Sequence, residues 1–247
     1  MDKMLYIAAS GASQDLLASA VRANNLANAQ TTGFKAMMAQ ARAMPAFGDG
    51  LPTRVFAMTE SPANRYDAGA MVQTNRDLDI AVEGDGWFAV VDKNGGEAYS
   101  RNGSLQMGTN GELLDTRGNQ IVGEAGPIFL PIPLSNVSVA QDGTISVRPQ
   151  GAPANVLEPV GRIKLVKPDL ENLQRSQDGL FRLPDGEQAD QDLTVGIRTG
   201  FLEASNVNPI EEMMGIIQAQ RHYEMQVKFM KKAEEIDQRG TRLLMIM

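Results

Sequence analysis

The sequence supplies few side chains that could carry out catalysis. It contains no cysteine and one histidine, His222, which excludes thiolate nucleophiles, disulfides and metal sites built from cysteine or from two histidines of one chain. Because His222 falls within a helical pattern, a packing or hydrogen-bonding role is favoured over a catalytic one. Gly84-Asp85-Gly86 is not a phosphate cradle, since no Lys-Ser pair follows and a strand-like segment comes next. The sequence therefore predicts no enzyme, no cofactor and no catalytic, cofactor-binding or metal-ligating residue.

Three neighbouring carboxylates are the remaining candidates for chemistry. Asp77, Asp79 and Asp85 lack the spacing of a calcium-binding loop. Asp77 and Asp79 are two residues apart and would share one face of a strand, where a carboxylate pair could form. The pattern favours the solvated side of the strand instead.

Composition and charge are typical of a folded protein with an acidic surface. The chain has 247 residues, 43% of them hydrophobic, and a net charge of -7. An acidic balance argues against a nucleic-acid binder, which needs basic residues to displace counterions. Residues 36–200 carry the whole excess of acid, with 21 acidic and 14 basic residues. The near-neutral ends suit close packing of many copies.

The first twenty residues superficially resemble a secretory signal peptide. Asp2 lies in the region that should be basic, and Ser10-Gly11 and Gln14-Asp15 interrupt the apolar stretch. No apolar run approaches the length of about 20 residues that spans a bilayer. We therefore expect an amphipathic helix that stays on the mature protein, and no membrane span.

Both ends of the chain are predicted to be helical. Residues 3 to about 28 repeat apolar side chains at spacings of three and four, which forms an alanine-rich stripe. A second helix is predicted to start at Asn208, its N-cap, with Pro209 at the first helical position, and to run to the end of the chain. It is too long for a small β domain to cover. The stripe consists of Leu5, Ala9, Ala12, Leu16, Ala20, Ala23 and Ala27, and the second seam of Met213, Ile216, Tyr223, Val227, Met230, Ala233, Ile236, Leu243 and Met247.

The middle of the chain is predicted to be antiparallel β structure. Between residues 76 and 200, seven Asn-Gly or Asp-Gly pairs favour tight turns, at residues 85, 94, 102, 110, 142, 178 and 185. Strand-like runs lie between them, at 78–82, 87–91, 120–122, 137–139, 144–147 and 160–166. The alternation within 78–82 is typical of a half-buried strand. A short helix is predicted at Ala36 to Ala43, within the segment that connects to this domain.

Three sets of residues resemble the signatures of the bacterial flagellar rod, hook and hook-associated proteins. The N-terminal set is Asn24-Asn25-Leu26-Ala27-Asn28, Thr31 and Gly33-Phe34-Lys35. The central set is Asp79 to Phe88 with Tyr99 to Gly103, and the C-terminal set is Gly200 to Asn208 with Glu212-Met213 and Gln220 to Glu224. Because the sets span the chain in family order, it is identified as a member of the flagellar basal-body rod family. It is most similar to the proximal rod proteins, although Trp87 stands where relatives often have Phe.

The resemblance implies an α+β fold, with an antiparallel β central domain and long terminal helices that pack together in the assembled rod. It implies four segments: residues 1–35 and 201–247 as rod-core helices, 36–75 as a connection, and 76–200 as an outer β domain. The implied role is a helically assembled drive-shaft subunit that passes through the flagellar type III export apparatus, without a cleaved signal, to the periplasmic rod. Its implied partners are copies of itself, other proximal rod proteins and the distal rod protein. The expected assembly interface comprises Leu5, Ala12, Leu16, Asn24, Asn25, Leu26, Asn28, Gly33, Phe34, Met213, Ile216, Tyr223, Val227, Met230, Ile236 and Leu243.

Several alternatives stay open on sequence alone. One is a distal rod or hook subunit, although hook proteins are usually longer. Another is a secreted β-domain binding module with coiled-coil tails, and the weakest is an enzyme. The Asn24 to Asn28 motif could serve an interface or only end the helix.

Overall fold

A computed structural model describes residues 2–45, 55–59, 63–153 and 156–246, and these contain two long helices with short strands between them. This arrangement confirms the predicted α+β class. The elements in chain order are α1 (Asp2–Ala27), β1 (Met37–Met38), β2 (Ala41–Pro45), β3 (Val55–Thr59), β4 (Ala63–Asn64), β5 (Met71–Gln73), β6 (Ile80–Glu83), β7 (Trp87–Val91), β8 (Glu97–Ser100), β9 (Leu105–Met107), β10 (Leu113–Asp115), β11 (Gln120–Gly123), β12 (Gly126–Pro127), β13 (Leu134–Val139), β14 (Thr144–Pro149), β15 (Glu158–Arg162), β16 (Leu165–Val166), β17 (Gln174–Arg175), β18 (Phe181–Arg182), a 3-10 turn (Pro184–Gly186), β19 (Gly196–Thr199), β20 (Phe201–Glu203) and α2 (Pro209–Ile246).

The chain forms two compact units, and each is built from separate stretches of sequence. The helical unit comprises Met1–Ala29, Ala36–Arg65 and Val207–Met247. The β unit comprises Gln30–Lys35 and Tyr66–Asn206.

In the helical unit, α1 and α2 pack against each other in opposite directions. Arg22, near the end of α1, contacts Glu212 at the start of α2, while Gly11 lies beside Gln226 further along α2. Small side chains on α1, including the buried Ala8 and Ala12, let the helices approach closely. Of the predicted alanine-rich stripe, only Ala12 is buried, while Ala9, Leu16, Ala20, Ala23 and Ala27 are exposed.

The segment after α1 is extended rather than helical, so the short helix predicted at Ala36 to Ala43 is wrong. β1 pairs with β4, and β2 forms an antiparallel ribbon with β3. The ribbon is attached to α1 through Ser10, whose hydroxyl donates to the Ala57 carbonyl and accepts from the Ala57 N–H. Backbone pairing with these partners outweighs the weak helical pattern of the sequence.

The β unit is built on a nine-stranded antiparallel sheet ordered β17-β18-β8-β7-β11-β10-β9, with β12 beside β11 and β16 beside β7. A three-stranded sheet, β13-β14-β15, and the pairs β19-β6 and β20-β5 complete the unit. One apolar core includes Phe88, Leu113 and Ile145, and a second surrounds Trp87 with Tyr99 and Phe181. Every predicted strand run overlaps a strand of the structure.

Two details of the β prediction are wrong. Ile80, Ala81 and Val82 are all fully buried, so β6 is covered on both faces rather than one. Gly86 and Gly103 do not have the positive φ angles that Gly95 and Gly143 adopt in their turns. A Cβ at Gly103 would lie 1.7 Å from the carbonyl oxygen of Ile80, so this glycine permits close packing of two backbones rather than a tight turn.

Candidate assembly interface

Asn25 is the anchor of the helical unit. Its side chain is buried, and its Nδ2 donates to the carbonyl oxygen of Met37 and to Oε1 of Glu212, both at 2.8 Å. Its Oδ1 accepts from the Met37 N–H at 2.9 Å. One amide therefore ties the end of α1 to β1 and to the first turn of α2. This side chain therefore positions the two helices relative to each other.

The other two asparagines of the motif act at the end of α1. The carbonyl oxygen of Asn24 accepts from the Asn28 N–H at 3.2 Å and from Asn28 Nδ2 at 2.9 Å. These bonds satisfy a carbonyl that the helix leaves without a partner where it stops. The Asn24 side chain is exposed, and Leu26 and Asn28 are half-buried. The motif therefore contains both a helix terminator and a clamp inside the chain.

The start of α2 follows the predicted capping pattern. Oδ1 of Asn208 accepts from the N–H groups of Ile210, at 3.1 Å, and Glu211, which confirms Asn208 as the N-cap. One turn on, Glu212 bonds Asn25 and forms an ion pair with Arg22 at 3.1 Å. The Arg22 side chain passes over Gly215 to contact Glu212, and a Cβ at Gly215 would lie 2.2 Å from Nη1 of Arg22. Glycine at 215 therefore allows the second contact between the helices.

Large apolar side chains remain exposed along both helices after the pair has formed. Leu16 is 55% exposed, Met213 53% and Ile236 50%. These three belong to the expected interface, and other exposed side chains in the helical unit join them: Tyr6, Leu17, Ile210, Met214, Ile217, Met225 and Phe229. We name these ten residues the outer apolar face. Apolar surface of this extent is typical of proteins that bury it against a partner.

The remaining expected interface residues lie inside one unit or at half-buried positions. Leu5, Ile216, Tyr223, Val227 and Met230 are half-buried. Ala12 is buried within the helix pair, Gly33 is half-buried in the β unit and Phe34 is buried there. The side chain of Leu243 and the whole of Met247 lie outside the described residues.

The helical unit also contains an apolar cavity of about 620 Å³. Its walls come from α1, the β2–β3 ribbon and α2, and they include Ile7, Phe56 and Phe229. This cavity is open to solvent, so it adds to the apolar surface that the helical unit leaves uncovered.

In the β unit, a buried ionic node joins three segments that are far apart in sequence. We define it as Lys35, Arg101 and Glu203. Lys35 Nζ lies 2.7 Å from Oε1 of Glu203, and Arg101 Nη1 lies 2.9 Å from Oε2 of the same carboxylate. All three side chains are almost completely buried. The node therefore holds two cations and one anion away from solvent.

Backbone groups complete the node. The Gly69 N–H donates to Oε1 of Glu203 at 2.9 Å, and Lys35 Nζ donates to the carbonyl oxygen of Asp67 at 2.8 Å. Burial lowers the pKa of the Lys35 ammonium from its ordinary value, and the hydrogen bond that it donates to Glu203 opposes that shift. Breaking a buried pair of this kind leaves an uncompensated charge, so the node makes the β unit depend on all three segments.

The three members of the node come from the three sequence signatures. Lys35 ends the N-terminal set, Arg101 lies in the central set and Glu203 in the C-terminal set. The sequence analysis did not predict this node, because no local sequence pattern indicates a contact between residues 168 positions apart, such as Lys35 and Glu203. The available signal was one charged residue of the node in each of the three signatures, Lys35, Arg101 and Glu203.

The carboxylate pair considered in the sequence does not form. Asp77 is exposed, but Asp79 is buried, accepts from the Ser104 hydroxyl at 3.3 Å and pairs with Arg76 at 3.4 Å. The expectation that Asp79 is solvated is therefore wrong, since its partners replace water. Within the described part of the chain, no three potential ligands lie close enough to hold a metal ion. In the same part, no helix is long and apolar enough to cross a membrane.

Comparisons with known proteins match the regions that carry this geometry. Residues 5–35 match the family of flagella basal body rod proteins, and residues 81–147 match the D1 domain of the flagellar hook protein FlgE/F/G family. Residues 198–243 match the C-terminal region of the flagellar basal body rod FlgEFG proteins.

Full-length relatives agree with the family matches. The chain is 42% identical to the flagellar basal-body rod protein FlgF of Salmonella typhimurium, over 99% of both chains. Identity and coverage are the same for the FlgF protein of Escherichia coli. The FlgF protein of Caulobacter vibrioides is 35% identical over 99% of this chain and 98% of its own.

Proposed function

Since this chain belongs to the flagellar basal-body rod protein family, we propose that it is a structural subunit of the proximal rod, which assembles helically through its terminal helices. In this role it forms part of the drive shaft and of the export channel, and it catalyses no reaction. The observation that carries the assembly mechanism is the outer apolar face of the helix pair.

The outer apolar face supports an assembly role because the chain does not cover it. Burial of apolar surface stabilises an interface by about 25 cal/mol per Å². Leu16 and Met213 would contribute only after a neighbouring subunit excludes water from them. A face that meets a different face of the next copy, and does not close into a ring, generates a helical assembly.

The buried residues of the expected interface support assembly indirectly, by positioning other parts of the chain. Asn25 fixes the angle between α1 and α2, and Phe34 helps to hold the chain where it enters the β unit. Direct contacts are assigned to exposed residues such as Leu16, Met213 and Ile236. The partners we propose are copies of this chain, other proximal rod proteins and the distal rod protein. Delivery is through the type III export apparatus to the periplasmic rod, with the N-terminus uncleaved.

The substitution Leu16→Asp tests the proposal. Leu16 is 55% exposed, so a carboxylate there should leave the isolated chain folded, whereas it would be buried and unpaired in the rod at a cost of several kcal/mol. We expect unchanged helix content and melting temperature, but no rods and no swimming. Val227 is less suitable because it is half-buried, and its replacement would also disturb the chain's own helix pair.

Asn110→Asp provides the control, because it adds the same charge at an exposed turn of the β unit. We expect this variant to assemble normally. Normal rods and swimming in Leu16→Asp cells would show that this part of α1 is not an assembly interface.

A further inference from the structure

A small polar pocket in the β unit is lined by four basic residues. They are Lys35, Arg101, Arg117 and Arg175, and the lining residues include no carboxylate. The pocket has a volume of about 10 Å³, which admits one atom of the size of a water oxygen. This local excess of positive charge stands in a region of the chain that is acidic as a whole.

Two of the four cations share one carboxylate inside the unit, and the other two have no carboxylate partner among the described residues. Lys35 and Arg101 share the carboxylate of Glu203. Among the described residues, no carboxylate oxygen lies within ion-pair distance of Arg117 or Arg175. Neither guanidinium group is therefore paired with an anion in the part of the chain that the structure describes.

Arg175 is held in place by its neighbours. Its Nη1 donates to the carbonyl oxygen of Lys35 at 2.9 Å, and its guanidinium carbon lies 4.4 Å from the centre of the Phe34 ring. Burial lowers the pKa of Arg175, and the charge of Arg117 lowers it further. The side chain is thus ordered before any ligand arrives, which reduces the entropy lost on binding.

Arg117 and Arg175 both lie close to Gly179. A methyl group at Gly179 would lie 2.8 Å from Nη1 of Arg117 and 3.8 Å from Nη2 of Arg175. Arg117 is exposed, and its guanidinium makes one hydrogen bond within the described part of the chain, to the carbonyl oxygen of Asp178, which is long at 3.4 Å. It can therefore turn towards an incoming anion at little cost.

A hydroxyl group adds a neutral donor to the pocket. Ser100 lines it, and its Oγ accepts from the Asn102 N–H at 3.1 Å. The hydroxyl proton has no acceptor among the described residues. Two guanidinium groups and one hydroxyl around space for a single oxygen atom make up a typical site for a carboxylate.

We propose that Arg117, Arg175 and Ser100 form a receptor for a side-chain carboxylate of a second copy of this chain. This inference rests on the proposed assembly into a rod. The acid is available on the neighbour, because residues 36–200 carry 21 acidic residues against 14 basic ones. Each subunit would thus use its basic pocket to bind the acidic surface of the next, and the repulsion between the two guanidinium groups would be relieved only on assembly.

Binding of inorganic phosphate to the purified chain tests the receptor itself. We expect phosphate to raise the melting temperature above its value in chloride at equal ionic strength. Arg117→Gln should weaken phosphate binding about tenfold, since one charge-assisted hydrogen bond is lost. Lys93→Gln removes the same charge from an exposed turn of the same unit and should bind phosphate normally. Equal binding by all three proteins would overturn the receptor.

Cross-linking in isolated basal bodies tests the source of the carboxylate. The variant Arg117→Lys places an amine at the pocket, which a carbodiimide couples to any carboxylate in contact with it. We expect an amide bond from position 117 to an acidic residue of a second copy, found in basal bodies and not in the purified chain. Links only within one chain, or to a different protein, would overturn the assignment to a second copy. If the chain is missing from basal bodies altogether, the proposed function is wrong. Phosphate binding by the purified chain would still show whether the anion-binding pocket exists.

Discussion

The substitution Glu203→Gln should destabilise the β unit more than any change of similar size at its surface. Glutamine has the same shape as glutamate, but it carries no charge and replaces one acceptor oxygen with a donor. That donor would face either Lys35 Nζ or Arg101 Nη1, which are 2.7 and 2.9 Å from the two carboxylate oxygens. Both cations would then be buried without an anion.

The expected loss follows from the burial of the node. Removing one partner of a buried ion pair costs about 3–5 kcal/mol, because the remaining charge is neither solvated nor paired. A unit of this size loses about 2–4 °C of melting temperature per kcal/mol, so we expect a decrease of about 6–20 °C. Lys35 can escape part of this cost by losing its proton, since burial already lowers its pKa.

The assay is thermal unfolding followed by fluorescence of Trp87, the one tryptophan in the chain, which lies in the core of the β unit. Glu83→Gln is the matched control, because Glu83 pairs with Arg198 at 2.6 Å but both side chains are about half exposed. An exposed pair contributes about 0–1 kcal/mol, so this control should melt close to the unmodified chain. Equal melting temperatures for the two variants would refute the view that the node holds the β unit together.

Three further outcomes are expected. Asn25→Ala should weaken the helix pair by about 2–3 kcal/mol, seen as earlier loss of helical circular dichroism with unchanged Trp87 fluorescence. The Gly96 N–H and Arg182 hold the pKa of Asp92 below its ordinary value of 3.8, so its stabilising effect is complete above that value and lost as the pH falls through the lowered pKa. The urea concentration at the midpoint of unfolding should therefore fall less in Asp92→Asn than in the unmodified chain as the pH is lowered from about 5 to about 2. Mass spectrometry of rod-associated protein should find a chain that still contains the residues before Gln14.

Local patterns in the sequence were sufficient to place most elements. The N-cap at Asn208, the strand at 87–91 and the end of α1 each depend on residues within a few positions of each other, and the structure confirms them. The segment at 36–43 shows the limit of this reasoning. Its composition is compatible with a helix, but pairing with β3 and β4 and the amide of Asn25 select the extended form.

Long-range contacts could not be predicted in the same way. Asp79 looks like a solvated strand residue until Ser104 and Arg76 are placed beside it. The buried ionic node depends on three segments that meet only in the folded chain. The side of α1 that packs on α2 could not be predicted for a related reason: alanines lie on several sides of this helix, and the position of α2 decides which of them are buried.

The division of the chain into units has a mechanical consequence. The backbone passes between the helical unit and the β unit four times, near residues 29, 35, 65 and 206. Within the β unit, Lys35, Asp67 and Asn206 lie beside three of these crossings, and Lys35 Nζ and Asn206 Nδ2 both donate to the carbonyl oxygen of Asp67. A load passing from one unit to the other is therefore divided among four covalent links. In a rotating shaft, that division lowers the tension on each link.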